Sequence, residues 1–345
     1  MNGFDLVEIG RYRCPQMNRW SGFWFLLIAA AVLLPLRSPA PLIYVPGEGW
    51  YYEPYGETAK WQRTRAKDQL QVAEDAFAAK NYSTTLRAAN RVLRVWPLSD
   101  YAPRAAFLIG RCQEMDGKDE AAFKSYQKII EKYPKSTQYN EVLWRQFEIA
   151  GRFLNGQWFK LWNTIPIYSS MDETAKLYDK IVANGPYSEV APHAQLNIGA
   201  AREKEKNYAS AVQAYNTAAD RYNGQPLIAA DAMYRAAVAW QKQADTAEYD
   251  QSAAAQAIAA YTDFMVVFPD DQRLTAAQSA ITKLKAEQVR GSFQIAKYYE
   301  FNHKWAGAII YYNDVLQLDA NSPLAAQARQ RIEILKSRLA VASSK

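Results

Sequence analysis

From Trp61 onward, apolar residues recur on a helical period and no strand-like alternation is sustained. With Tyr208 as offset zero, they fall at Ala211, Val212, Tyr215, Ala218 and Ala219, offsets 3, 4, 7, 10 and 11. These positions share one face of a 3.6-residue helix. The same offsets counted from Tyr82, Asp119, Met171, Ala254 and Trp305 are filled the same way, and of thirty positions only Thr85 and Thr174 are not apolar. A chain that is 49% hydrophobic would fill about half of them by chance. The pattern therefore predicts six copies of one amphipathic helix.

Each copy is followed or preceded by a second signal. Pro97, Pro134, Pro186 and Pro269 stand eight residues after Ala89, Tyr126, Tyr178 and Tyr261. A proline there ends one helix and turns the chain into the next. Three continue as Pro-x-Ser, and Ser99, Ser136 and Ser188 are expected to cap the following helix. Ala- and Gly-rich helical stretches such as PRAAFLIGRCQEM and HAQLNIGAAREKEK precede the repeated helix. Small residues belong where two antiparallel helices approach closely. The anchors at 89, 126, 178, 215, 261 and 312 are spaced 37, 52, 37, 46 and 51 residues apart. Two spacings approach the tetratricopeptide period of about 34, and the rest contain insertions.

The expected fold is all-α: a right-handed superhelix of about six tetratricopeptide-like helix pairs, closed by a capping helix at 321–340 that starts at Asn321 or Ser322. Four segments follow: 1–40, an export signal or membrane anchor; 41–60, a spacer rich in Pro, Gly and aromatics; 61–225, the N-terminal repeats; and 226–340, the C-terminal repeats. The largest insertion, 156–170, holds Trp158, Phe159, Trp162 and Tyr168. It reads as a loop tucked into the superhelix, or alternatively as an aromatic contact surface.

Residues 20–36, WSGFWFLLIAAAVLLPL, are uncharged and follow Arg11, Arg13 and Arg19. That polarity keeps the basic end cytoplasmic and exports the rest. Met17 is an alternative start. Ser38-Pro39-Ala40 offers a cleavage site that Pro41 would hinder, so cleaved signal and retained anchor both stand. No Cys stands at the end of the apolar run, since Cys14 lies before it and Cys112 deep in the repeats, so lipidation there has no acceptor. Cys112 reads as a buried apolar residue.

The 41 basic and 35 acidic residues are interleaved, and a formal charge of +6 with no basic tail gives nucleic acid little support. Two Cys and two His leave no thiolate cluster and little for a His-based metal site. His193, at a helix start, and His303, in a short turn, read as surface or capping residues. Glu203 and Glu205 read as a solvated face among lysines. No phosphate loop, nucleophile elbow or zinc motif occurs. The expectation is a non-enzymatic protein without cofactor. A helical-repeat superhelix instead offers a concave docking surface lined by the first helix of each pair. In the first half Arg104, Arg111, Trp144, Arg145 and Arg152 are candidates, because Arg and aromatics dominate protein-binding energetics.

The Pro-x-Ser repeats, Phe268-Pro269-Asp270-Asp271 and residues 293–323 resemble the BamD family, the outer-membrane β-barrel assembly lipoproteins. In that stretch a helix ending in Tyr298-Tyr299 leads through a turn into Trp305-Ala306-Gly307-Ala308. The resemblance spans about residues 62–340. It implies a periplasmic scaffold whose N-terminal repeats receive unfolded outer-membrane protein segments. The C-terminal repeats would dock the periplasmic domains of a BamA-like barrel insertase. Lys283, Lys285, Glu287, Arg290, Tyr298 and Tyr299 lie in the matching region. Trp158 and Trp162 are further partner-binding candidates. Two other readings stand beside it: a periplasmic scaffold coordinating cell-wall synthesis with division, and a glycan-binding repeat protein with an aromatic platform at Trp158 and Trp162.

Overall fold

The computed structural model describes residues 42–45, 49–52, 61–161, 165–246 and 251–343. Residues 65–345 form one compact unit and residues 1–64 another. The larger unit is built from helices: α1 (Ala66–Ala78), α2 (Tyr82–Val95), α3 (Ala102–Met115), α4 (Asp119–Lys132), α5 (Tyr139–Leu154), α6 (Met171–Asn184), α7 (Ala191–Lys204), α8 (Tyr208–Arg221), α9 (Pro226–Thr246), α10 (Gln251–Val267), α11 (Leu274–Phe301), α12 (Trp305–Leu318) and α13 (Pro323–Ser343). The fold is a stack of six tetratricopeptide-like pairs with α13 closing the end. Tyr82, Asp119, Met171, Tyr208 and Trp305, offset zero in the sequence pattern, are the first residues of their helices.

The six anchors are the innermost side chains of the stack. Ala89, Tyr126, Tyr178, Tyr215, Tyr261 and Tyr312 are each no more than 2% exposed. Overlapping apolar clusters carry the core from pair to pair; one joins Leu196 and Tyr215 to Ala232 and Ala236 of the next pair. The Tyr126 and Tyr215 rings lie against the backbone of their partner helices. A methyl group on Gly110 would come within 2.3 Å of Tyr126, and one on Gly199 within 2.4 Å of Tyr215. Only glycine allows that approach. Alanine suffices at the matching Ala296, beside Tyr312 in one cluster.

The turns within pairs are equally regular. Lys80, Gly117, Lys206 and His303 adopt positive φ just after their helices. Asn81 and Asn207 then cap α2 and α8 by accepting from the amides of Thr84 and Ser210. Between pairs the expected serine caps do not form. The residues before α3, α5 and α7 are Tyr101, Gln138 and Val190, without side-chain caps. Ser99 and Ser188 instead donate back to the carbonyls of Trp96 and Gly185, at 2.9 and 2.6 Å. The proline shortens the turn, so the hydroxyl meets the preceding helix's carbonyl first. Ser322 does cap α13, accepting from Ala325 N–H at 3.1 Å.

Three sets of neighbouring first helices touch, α1 with α3, α5 with α7 and α7 with α9, and α11 touches the closing α13. The second helices do not approach to that degree. The stack therefore curves toward its first helices, leaving the second helices on the outside.

Two antiparallel hairpins depart from the helical reading. β1 (Leu42–Val45) pairs with β2 (Gly49–Tyr52) inside the expected spacer, across Pro46-Gly47-Glu48. In the 156–170 insertion β3 (Phe159–Leu161) pairs with β4 (Ile165–Tyr168), with a register shift between Phe159 and Lys160. Among the described residues no helix is long and apolar enough to cross a membrane. The apolar run at 20–36 lies outside the described residues.

Candidate docking surfaces

Of the five groove candidates, three arginines are engaged in tying the stack together. Arg104 on α3 reaches Glu74 of α1 at 2.9 Å and lies over the Phe107 ring. Arg111 approaches Glu114 at 3.5 Å and the face of Phe77. Arg152, near the end of α5, bridges Asp119 (2.5 Å) and Glu114 (3.2 Å). Burial opposes the Arg152 charge, but the bonds to Asp119 and Glu114 outweigh it and its pKa rises. Trp144 is exposed and meets Phe147 edge-on at 5.9 Å. Arg145 sits one step along α5 and pairs with Glu148 at 2.9 Å.

Those contacts reveal a device that the sequence reading missed. Tyr126, Tyr215 and Tyr312 each donate to a glutamate twelve residues earlier: Glu114 (2.6 Å), Glu203 (2.9 Å) and Glu300 (2.9 Å). A cation from the next first helix then meets the same carboxylate: Arg152, Lys242 and Arg331. Burial, with the nearby carboxylate, pushes the Tyr126 and Tyr215 hydroxyls up. Glu203 is thus a structural acceptor rather than one of a solvated pair. A glutamate twelve residues before three of the five anchor tyrosines was the available signal. A second set of ties joins Tyr133 and Tyr222 to the carbonyls of Pro97 and Pro186, each 36 residues back.

At the other end, α11 and α12 present the second candidate surface. Glu287 faces Lys283 one turn back at 4.0 Å, and Arg290 is exposed. Tyr299 is half-buried, stacked on Tyr311 at 5.3 Å and packed where Gly307 leaves room. Tyr298 stands exposed beside it, with Phe301 and Ile310 also exposed. The structure does not bring the α3–α5 and α11–α12 candidates together, since α6–α10 lie between them. In the insertion, Phe159 is buried and stacks on Phe153 at 4.2 Å, while Trp158 is half exposed. The insertion is therefore anchored by Phe159 and turns Trp158 outward. Trp162 lies outside the described residues. His193 and His303 are exposed, and Cys112 is buried, its thiol pushed up to about 11 by desolvation.

Stacked helix pairs of this kind, with a curved face and tyrosine-filled seams, define a tetratricopeptide-repeat protein. A tetratricopeptide repeat model matches residues 104–136, and the outer membrane lipoprotein (YfiO) model matches residues 168–319. The chain thus has a tetratricopeptide-like fold, and its central and C-terminal pairs are similar to that lipoprotein family. No curated protein matches the chain. Solved structures similar to it include the C-terminal part of a repeat protein from Cytophaga hutchinsonii, 17% identical over 78% of this chain and 89% of that one, with a TM-score of 0.38. A tetratricopeptide repeat protein from Parabacteroides merdae is 10% identical over 79% and 98%, TM-score 0.34. MamA from Desulfovibrio magneticus is 12% identical over 61% and 98%, TM-score 0.33.

Proposed function

We propose that this protein is a non-enzymatic periplasmic scaffold of the outer-membrane β-barrel assembly machinery. The observation that carries the reading is the match of residues 168–319 to the outer membrane lipoprotein model, which takes in α6–α12. In this reading the concave side of the N-terminal pairs receives extended segments of unfolded outer-membrane proteins, with Trp144 and Arg145 as contacts. Arg104, Arg111 and Arg152 hold the first helices in place. The C-terminal pairs dock periplasmic domains of the barrel insertase through α11 and α12, where Tyr298, Phe301 and Ile310 leave apolar surface uncovered. Exposed aromatics beside Arg290 and Glu287 suit a protein partner. Attachment to the envelope would rest on the N-terminal segment or on partners, since no cysteine stands at the end of the apolar run.

Crosslinking in envelope membranes followed by affinity isolation tests this. A large β-barrel protein should copurify, and replacing Tyr298 and Phe301 with Ser should lower its yield several-fold. Recovery of peptidoglycan synthases with no barrel protein would overturn the reading.

A further inference from the structure

The outer face of the stack is divided. On the second helices, offsets 5 and 9 lie one turn apart, and in the first three pairs all of them except the half-buried Arg91, which lies over Trp96, are exposed. In the first three pairs they are Arg87 and Arg91, Lys124 and Lys128, Lys176 and Lys180, all cationic. In the last three they are Gln213 and Thr217, Ala259 and Asp263, Ile310 and Asp314, with no cation. Helix α2 carries three arginines and no acid. Among the described residues, Arg87, Lys124, Lys128 and Lys180 make no ion pair, whereas Lys176 is held by Asp172 and Glu173. The first three pairs thus repeat one sign at these positions, where the later pairs carry only neutral or acidic side chains.

A second feature lies at one end of the same helices. Three residues past the ends of α2, α4 and α6 stand Leu98, Lys135 and Tyr187, the middle residues of the Pro-x-Ser turns. Leu98 is 93% exposed and Tyr187 98% exposed. The later pairs place Gly224, Asp270 and Asn321 there. An aliphatic and an aromatic side chain held fully in solvent, in register with a cationic face, suit an interface with charged headgroups above and acyl chains below.

We propose that the outer face of the first three helix pairs docks on an anionic phospholipid surface. Its cations meet headgroup phosphates and Leu98 and Tyr187 enter the interface. The face belongs to the second helices, on the outside of the curve, and a convex face suits a broad surface better than an extended acidic peptide. It also lies in the pairs nearest in sequence to the uncharged run at 20–36. A chain held there would keep these pairs at high local concentration beside the bilayer. The surface is separate from the concave and C-terminal surfaces assigned above, and it stands whether or not the barrel-assembly reading holds.

The test is flotation of the full chain with vesicles of phosphatidylcholine alone and of phosphatidylcholine with one third phosphatidylglycerol, at low and high salt. Any contribution of the apolar run is common to all variants and cancels. Changing Arg87, Lys124, Lys128 and Lys180 to Gln should lower partition onto the anionic vesicles roughly ten-fold at low salt, and little at high salt. Leu98→Ser with Tyr187→Ser should lower it at both. Changing Lys283, Lys285 and Lys336 to Gln should leave it unchanged. All these side chains are exposed, and circular dichroism verifies that the helices persist. Equal anionic-vesicle partition of wild type and the four-Gln variant overturns the proposal. So does binding of polyglutamate without binding of anionic vesicles, which would assign the face to an acidic protein.

Discussion

Arg152 is the residue at which the binding and structural readings of the first helices diverge. Its guanidinium joins α5 to two carboxylates of the preceding pair, Glu114 and Asp119, whose side chains are only 5% and 7% exposed. Arg152→Ala would leave both carboxylates in place without their shared cation. Removing one partner of a buried pair costs about 3–5 kcal/mol. The Arg152 side chain is 39% exposed, so solvent screens the pair. Tyr126 and Gln157 also remain as donors to Glu114 and Asp119. The expected loss is about 2 kcal/mol, read from the denaturation midpoint, with amide exchange rising across α3–α5. Arg152→Lys should lie between, because the charge stays while the two-pronged geometry goes. A deficit under about 0.5 kcal/mol refutes the structural assignment. If peptide binding collapsed while stability held, Arg152 would return to the groove.

Two other outcomes follow from the seams. Gly110→Ala and Gly199→Ala should each destabilise by about 1–3 kcal/mol in thermal melts, because the new methyl meets a packed tyrosine ring. Gly224→Ala, with open space around its Cβ position, should be neutral within about 0.5 kcal/mol. The seam tyrosines predict alkaline lability. Burial raises Tyr178 to about 12 and raises Tyr126, Tyr215 and Tyr261 as well. Folding thus favours the protonated phenols. That stability is fully present below the unfolded tyrosine value of about 10 and is lost as pH climbs through the folded values. Tyrosinate absorbance should lag that of the unfolded chain and then rise together with loss of helix. Independent titration of these tyrosines at an ordinary value would contradict their burial.

The repeated helix was legible because its information is local. Apolar offsets set the starts of α2, α4, α6, α8 and α12, a following proline closed α2, α4 and α6, and Ser322-Pro323 marked the start of α13. The role of Arg104, Arg111 and Arg152 was not legible. An arginine on a first helix looks alike in sequence whether it faces solvent or a carboxylate 30 or more residues away. The serine caps failed for a geometric reason, since the turn decides which backbone group a hydroxyl meets. The 159–168 hairpin was hidden by its brevity, although Phe159-Lys160-Leu161 and Ile165-Pro166-Ile167-Tyr168 alternate around a three-residue connection.

For this chain the amino-acid order alone specified helix pairs, their number and the seam they bury, because a 3.6-residue period and proline punctuation act within one helix turn. Which charges close on one another, which face curves inward and which aromatics stay in water were decided only when the pairs stacked. Those outcomes depend on neighbours brought together from distant parts of the chain, where local pattern carries no record of distance.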